Sequence, residues 1–183
     1  MRRSEPSSGS GVLAGETPVH ERDAHATVVL GIGNLLRGDD GVGVHAAHEL
    51  LVRDDLGDVT VLDGGVAPLD ALAMVGHMQR LIIIDAAELG ETPGTIRALS
   101  PEDLQPHDGD TVSLHDLDLL WALNVMRATG QEPPETVVIG VQPGSMSWST
   151  EISPAVAARL DDITEAVLAE IPARSTGHQK VRP

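Results

Sequence analysis

Three places in this chain put carboxylates directly behind a short apolar run. Thr27-Val28-Val29-Leu30 leads through a glycine-rich turn to Asp39 and Asp40, Val59-Thr60-Val61-Leu62 ends in Asp63, and Leu81-Ile82-Ile83-Ile84 ends in Asp85. The turn reads Gly31-Ile32-Gly33-Asn34-Leu35-Leu36-Arg37-Gly38-Asp39-Asp40-Gly41-Val42-Gly43. Glycine-rich turns between a strand and a helix usually cradle phosphate with backbone N–H groups and a helix N-terminus. This one places two negative charges there, which calls for another chemistry.

Four chemistries can be weighed on residue types alone. Dinucleotide binding has Gly31 and Gly33 in its favour, and Asp63 in about the place of a ribose-binding acid. Its third glycine position holds Leu36, however, and Asp39 and Asp40 would repel a pyrophosphate. A divalent metal could be held by carboxylates at two strand ends and one imidazole, leaving positions open for water or substrate. Of the eight histidines, His115 is best placed, in the first turn of an expected helix; His45 and His48 fall inside another. A carboxylate pair sharing a proton is disfavoured, because neighbours such as Asp39 and Asp40 point apart. A serine hydrolase would need a Gly-x-Ser-x-Gly elbow, and none is present. The ordinary readings are Asp40 as a helix N-cap and Asp63-Gly64 as a turn.

The elements that must position these residues follow from periodicity. Strands are expected over Thr27–Gly31, Val59–Leu62, Arg80–Asp85 and Glu135–Val141, with a weaker, edge-like antiparallel strand at Thr95–Leu99. Helices are expected over Asp40–Arg53 with Val44, Ala47 and Leu51 on one stripe, Pro68–Val75, and Ser113–Thr129 behind a Ser113/Asp116 capping-box pattern. A final helix opens at Ser153-Pro154 and carries Val156, Leu160, Ile163 and Val167. The third helix is apolar almost all round, so it is either buried or covered by a partner. Alternating strands and helices predict a three-layer α/β domain with a mostly parallel sheet. In such sheets function sits beyond the carboxyl ends of the strands, which selects Asp39, Asp40, Asp63 and Asp85.

Composition narrows the classes further. With 183 residues, 41% of them hydrophobic, the chain fits one domain with a full core. The expected organisation is a polar tail over residues 1–25, a domain over 26–171 and a polar tail over 172–183. No cysteine is present, so disulfides, thiolate ligands and a cysteine nucleophile are excluded. The net charge of −16 comes without any Lys/Arg cluster, which argues against nucleic acid. No apolar run is long enough to span a membrane and no signal-peptide h-region follows Arg2-Arg3, so a cytoplasmic protein is the expectation. Without Phe or Tyr, the core must be built from Val, Leu, Ile and Ala, which suits a sheet covered on both faces.

The run Gly31 to Gly43 resembles the signature of the NiFe-hydrogenase maturation proteases, endopeptidases that remove a C-terminal extension from the hydrogenase large subunit. The likeness continues at Val61-Leu62-Asp63-Gly64-Gly65, Leu81-Ile82-Ile83-Ile84-Asp85-Ala86, Ser113-Leu114-His115-Asp116-Leu117 and Val138-Ile139-Gly140-Val141-Gln142-Pro143, spanning about residues 27–170. It implies a three-layer αβα sandwich of phosphorylase/hydrolase-like type, with an about five-stranded, twisted, mostly parallel sheet. It also implies a divalent metal held by Asp40, Asp63 and His115; in some relatives the first ligand is Glu, one methylene longer. Nickel already inserted in the large-subunit precursor would be the recognition signal and the metal completed by these ligands. A water attacking the scissile carbonyl, assisted in proton transfer by Asp39 or Asp40, is one mechanism the resemblance implies, and an aspartic-type mechanism is the other. The expected partner is the large-subunit precursor, docked in part by the third helix, with the enzyme a monomer. The alternative is a metal-sensing binding or chaperone-like module that does not cut.

Overall fold

The computed structural model describes residues 27–75, 78–101, 103, 123–130 and 132–172. Its centre is a five-stranded sheet in the order β2-β1-β3-β5-β4, formed by β1 (Thr27–Ile32), β2 (Thr60–Gly65), β3 (Arg80–Ala86), β4 (Ile96–Leu99) and β5 (Glu135–Val141). Every neighbouring pair is parallel except β4–β5, where β4 runs antiparallel along the edge. The expected α/β architecture and the antiparallel edge strand are both present.

β1 is buried along its whole length and β3 along all but its first residue, because they are covered on both faces. A strand covered on both faces reads as a continuous apolar run rather than an alternating one. Its side chains nonetheless divide strictly between two cores. Val29, Ile82, Ile84, Ile139 and Val141 pack with Val42, Ala46 and Leu50 of helix α1 (Val42–Leu51). The same core takes in Val156 of α3 (Pro154–Ala157) and Ile163 and Val167 of α4 (Leu160–Glu170). Val28, Leu30, Ile32, Leu81, Ile83 and Val138 face the other way, toward Ala71 and Leu72 of α2 (Pro68–Ala73) and Leu123. Leu123 begins a helical stretch over 123–128. Helices on two faces of one sheet make the three layers.

Several boundaries differ from the sequence reading for physical reasons. The first helix does not start at Asp40: a 3₁₀ turn, Gly38–Gly41, precedes α1, and Gly41 occupies the N-cap. Its buried face takes in Val42, Val44, Ala46, Ala47 and Leu50, so Val44 and Ala47 lie inside as expected, while Leu51 is half exposed. Asp63 belongs to β2 itself and is not a turn residue. The final helix is broken into α3 and α4 around Ala158 and Arg159. The expected tails, and all of the third helix before Leu123, lie outside the described residues.

At the amino ends of the strands Arg80 pairs with Glu135 across the β3–β5 register and with Glu170 at the end of α4. The carboxyl ends, where β1 and β2 run out into loops, carry the carboxylates. Among the described residues no helix is long and apolar enough to cross a membrane.

Candidate functional site

The loop after β1 is pressed against the sheet by missing side chains. A Cβ on Gly31 would stand 2.1 Å from the Gly43 carbonyl oxygen, and one on Gly43 would stand 2.0 Å from that of Ile84. The start of α1 therefore lies directly on the backbone of β1 and β3, a contact only glycine permits. This brings the 3₁₀ turn with Asp39 and Asp40 over the end of β1.

The two acidic side chains then part company. Asp39 is fully buried. Its Oδ2 accepts hydrogen bonds from the Gly144 and Ser145 N–H groups at 2.7 and 2.9 Å, and its Oδ1 from the Ser153 N–H at 2.6 Å. Burial pushes this carboxyl up, but the N–H groups of Ser153, Ser145 and Gly144 together outweigh it and hold Asp39 below the ordinary aspartate range. The same two loops are knitted further by Gly38 N–H to the Ser149 carbonyl, Asp39 N–H to Ser145, Ser149 N–H to Leu36, and the Arg37 guanidinium to Met146. Asp39 is thus the tie between the first motif and the segment after β5.

Asp40 is buried except for a small exposed fraction, and its Oδ2 accepts the Asn34 N–H at 3.2 Å. Neither Asp39 nor Asp40 caps α1, whose N-cap falls on Gly41. The N-cap reading is therefore overturned, because the carboxylates are drawn away by loops on either side.

A phosphate cradle is also ruled out by hydrogen bonding. Gly33 N–H donates to the Gly65 carbonyl, Asn34 to Asp40, Leu36 to the Asn34 side chain, and Arg37 to the Asn34 carbonyl. Gly38, Asp39 and Asp40 donate to Ser149, Ser145 and Arg37. The donors that a pyrophosphate would need are spent inside the protein.

Asp63 lies one strand over, in register with Gly31 of β1. Its side chain is 40% exposed, and its Oδ2 is 2.8 Å from Nε2 of His48, itself half exposed on α1. This partner was not singled out in the sequence. The signal for it is topological: α1 is the crossover from β1 to β2, so the helix edge beyond its buried stripe flanks β2. His45, one turn earlier, has a buried Nε2 without a hydrogen-bond partner. Burial first, and the nearby His48 second, hold its pKa below the usual histidine value, against a smaller pull upward from Glu49.

Two other motif residues serve the architecture. Asp85 is buried, with Oδ1 accepting the Ala86 N–H. Gln142 fastens the loop after β3: its Oε1 accepts from the Leu89 and Glu91 N–H groups and its Nε2 donates to Glu88. His115 lies outside the described residues; among the described residues no group of three His, Asp or Glu side chains could hold a metal. The carboxylates of Asp40 and Asp63, with an imidazole at His115, are a hard-to-borderline donor set that fits a divalent first-row ion.

Comparison with known proteins decides the family. Residues 44–170 match the family model described as hydrogenase maturation protease. The chain belongs to this family. It is 34% identical to the hydrogenase 2 maturation protease of Escherichia coli K12, over 79% of this chain and 89% of that one. It is 33% identical to the hydrogenase expression/formation protein HupD of Rhodobacter capsulatus, over 76% and 69%. Among solved structures it is similar to the hydrogenase maturating endopeptidase HybD from E. coli, with a TM-score of 0.68 and 32% identity over 79% of this chain and 90% of that one. The HycI hydrogenase maturation protease of Thermococcus kodakarensis gives 0.64 and 29% over the same shares. The chain is accordingly a protease, a hydrolase of peptide bonds. The maturation-protease fold supplies the frame that carries Asp40 in the turn after β1 and Asp63 near the end of the adjoining strand β2.

Proposed function

We propose that this maturation protease removes the C-terminal extension of a NiFe-hydrogenase large-subunit precursor after nickel has been inserted. The observation that carries the proposal is the placement of Asp40 in the turn that follows β1 and Asp63 near the carboxyl end of the adjacent parallel strand β2, the two strand ends being joined by the Gly33–Gly65 hydrogen bond of 2.9 Å. Nickel enters as part of the substrate: Asp40, Asp63 and, by the resemblance, His115 are the residues that would complete its coordination. A divalent ion there supplies Lewis acidity toward the scissile carbonyl and the attacking water.

The chain's own residues divide the remaining work. Asp39, with both oxygens accepting backbone N–H groups and its proton affinity lowered, is a poor proton acceptor; it holds the loop. Asp40 is the carboxylate left to take up a proton at Oδ1, since among the described residues its side chain accepts only the Asn34 N–H, on Oδ2. An aspartic-type reaction through a shared Asp39–Asp40 proton is disfavoured, because Asp39 is committed to Gly144, Ser145 and Ser153.

Mass spectrometry of a nickel-loaded precursor incubated with the protein tests this reading. A fixed C-terminal mass loss, absent with Asp63→Asn, is the expected result. Stable complex formation at unchanged mass would replace it with a metal-sensing binder.

A further inference from the structure

His48 lies outside the metal-ligand motifs, yet it is the partner of one of their carboxylates. Its imidazole Nε2 is 2.8 Å from Asp63 Oδ2. No other hydrogen bond reaches the Asp63 side chain from the described residues. The other oxygen, Oδ1, is 3.7 Å from where a Cβ on Gly65 would stand, and glycine leaves that side open. One oxygen of Asp63 is therefore occupied from the α1 side, and the other is available.

We propose that His48 is a positioning residue for Asp63: its N–H fixes the carboxylate plane so that Oδ1 is offered to a divalent ion as a single, pre-oriented donor. The inference rests on the reading of Asp63 as a metal ligand. The physical argument has two sides. A half-exposed His–Asp pair contributes little to fold stability, because both side chains are solvated and lose rotamer freedom in holding one geometry. A hydrogen bond that orients a metal ligand acts differently, since every rotamer in which Oδ1 points away lowers metal affinity. Partners of this kind typically change affinity or activity by about 10–100-fold when removed.

His48 is also placed to do this by α1 rather than by a loop. The helix is locked to the sheet by Val42, Ala46 and Leu50 and by the backbone contact at Gly43. The imidazole therefore stands on a rigid element while Asp63 stands on β2, and the pair spans the α1–β2 seam.

Nickel-ion titration of the full-length chain by calorimetry, with thermal melting in parallel, tests the inference on His48→Leu, His48→Gln and Asp63→Asn. His48→Leu is expected to weaken nickel binding by about 10–100-fold with an unchanged melting temperature. His48→Gln, whose amide N–H reaches to nearly the same point as Nε2–H, is expected to restore most of it. Wild-type affinity in His48→Leu, alongside loss in Asp63→Asn, overturns the role of His48 and leaves the metal reading standing. Failure of Gln to rescue also overturns positioning, in favour of direct coordination by the imidazole. Undiminished nickel binding by Asp63→Asn brings down both.

Discussion

Asp39, in the turn that follows β1, and Asp63, near the end of neighbouring β2, show what enclosure does to a carboxylate. Asp39 is fully buried and accepts three backbone N–H groups. Asp63 is 40% exposed and, among the described residues, has one side-chain partner. Removing Asp39 would leave buried donors with no acceptor, whereas removing Asp63 would leave its surroundings in contact with water. Proximity to the site in sequence therefore does not mark a residue as chemical: the enclosed acid builds the loop and the open acid is free to take a ligand.

The largest expected effect tests the enclosed half. Asp39→Ala leaves the N–H groups of Gly144, Ser145 and Ser153 unsatisfied, and should cost about 3–5 kcal/mol in denaturant unfolding. A loss below about 1 kcal/mol would show that water replaces the carboxylate and would dissolve the contrast. Gly43→Ala should come next, at about 1–3 kcal/mol or more, because its methyl meets the Ile84 and Ile32 carbonyls and forces α1 off the sheet. Asp63→Asn and Asp40→Asn should move stability by no more than about 1 kcal/mol while abolishing precursor processing in a gel-shift or mass assay. Processing by either variant at the wild-type rate would remove that residue from the site. Gly65→Asn should have the smallest effect, within about 1 kcal/mol. Gly65 has a φ of +47°, which Asn tolerates, and its Cβ position is open apart from Asp63. If Gly65→Asn weakens metal binding without altering the melting temperature, crowding of Asp63 Oδ1 is the cause.

Sequence periodicity captured the strands because four of them are apolar runs bounded by glycine, proline or aspartate; the Glu135–Val141 strand is found with both expected bounds. It could not capture the start of α1. An Asp before an apolar-periodic segment looks like an N-cap wherever its side chain has no better partner, and the better partners of Asp39 are Gly144, Ser145 and Ser153. Val44 and Ala47 of the expected stripe are buried, but Leu51 is the last residue of α1 and is half exposed there. His48 could not be read from local spacing either, since its contact with Asp63 is set by the α1 crossover. The glycines were legible as a tight turn, but their closer purpose, seating α1 on the Ile84 carbonyl, belongs to the packed sheet. His115, carried by the resemblance, lies outside the described residues.

The partners of Asp39 lie 105, 106 and 114 residues further along the chain. During synthesis the acidic turn emerges more than 100 residues before its partners, and until they follow nothing exists for Asp39 to hold. Only when Ser153 has left the ribosome can the turn acquire its final shape. The site is thus completed only once the segment after β5 has been made, and a nascent fragment carrying the complete glycine signature is still without a finished site.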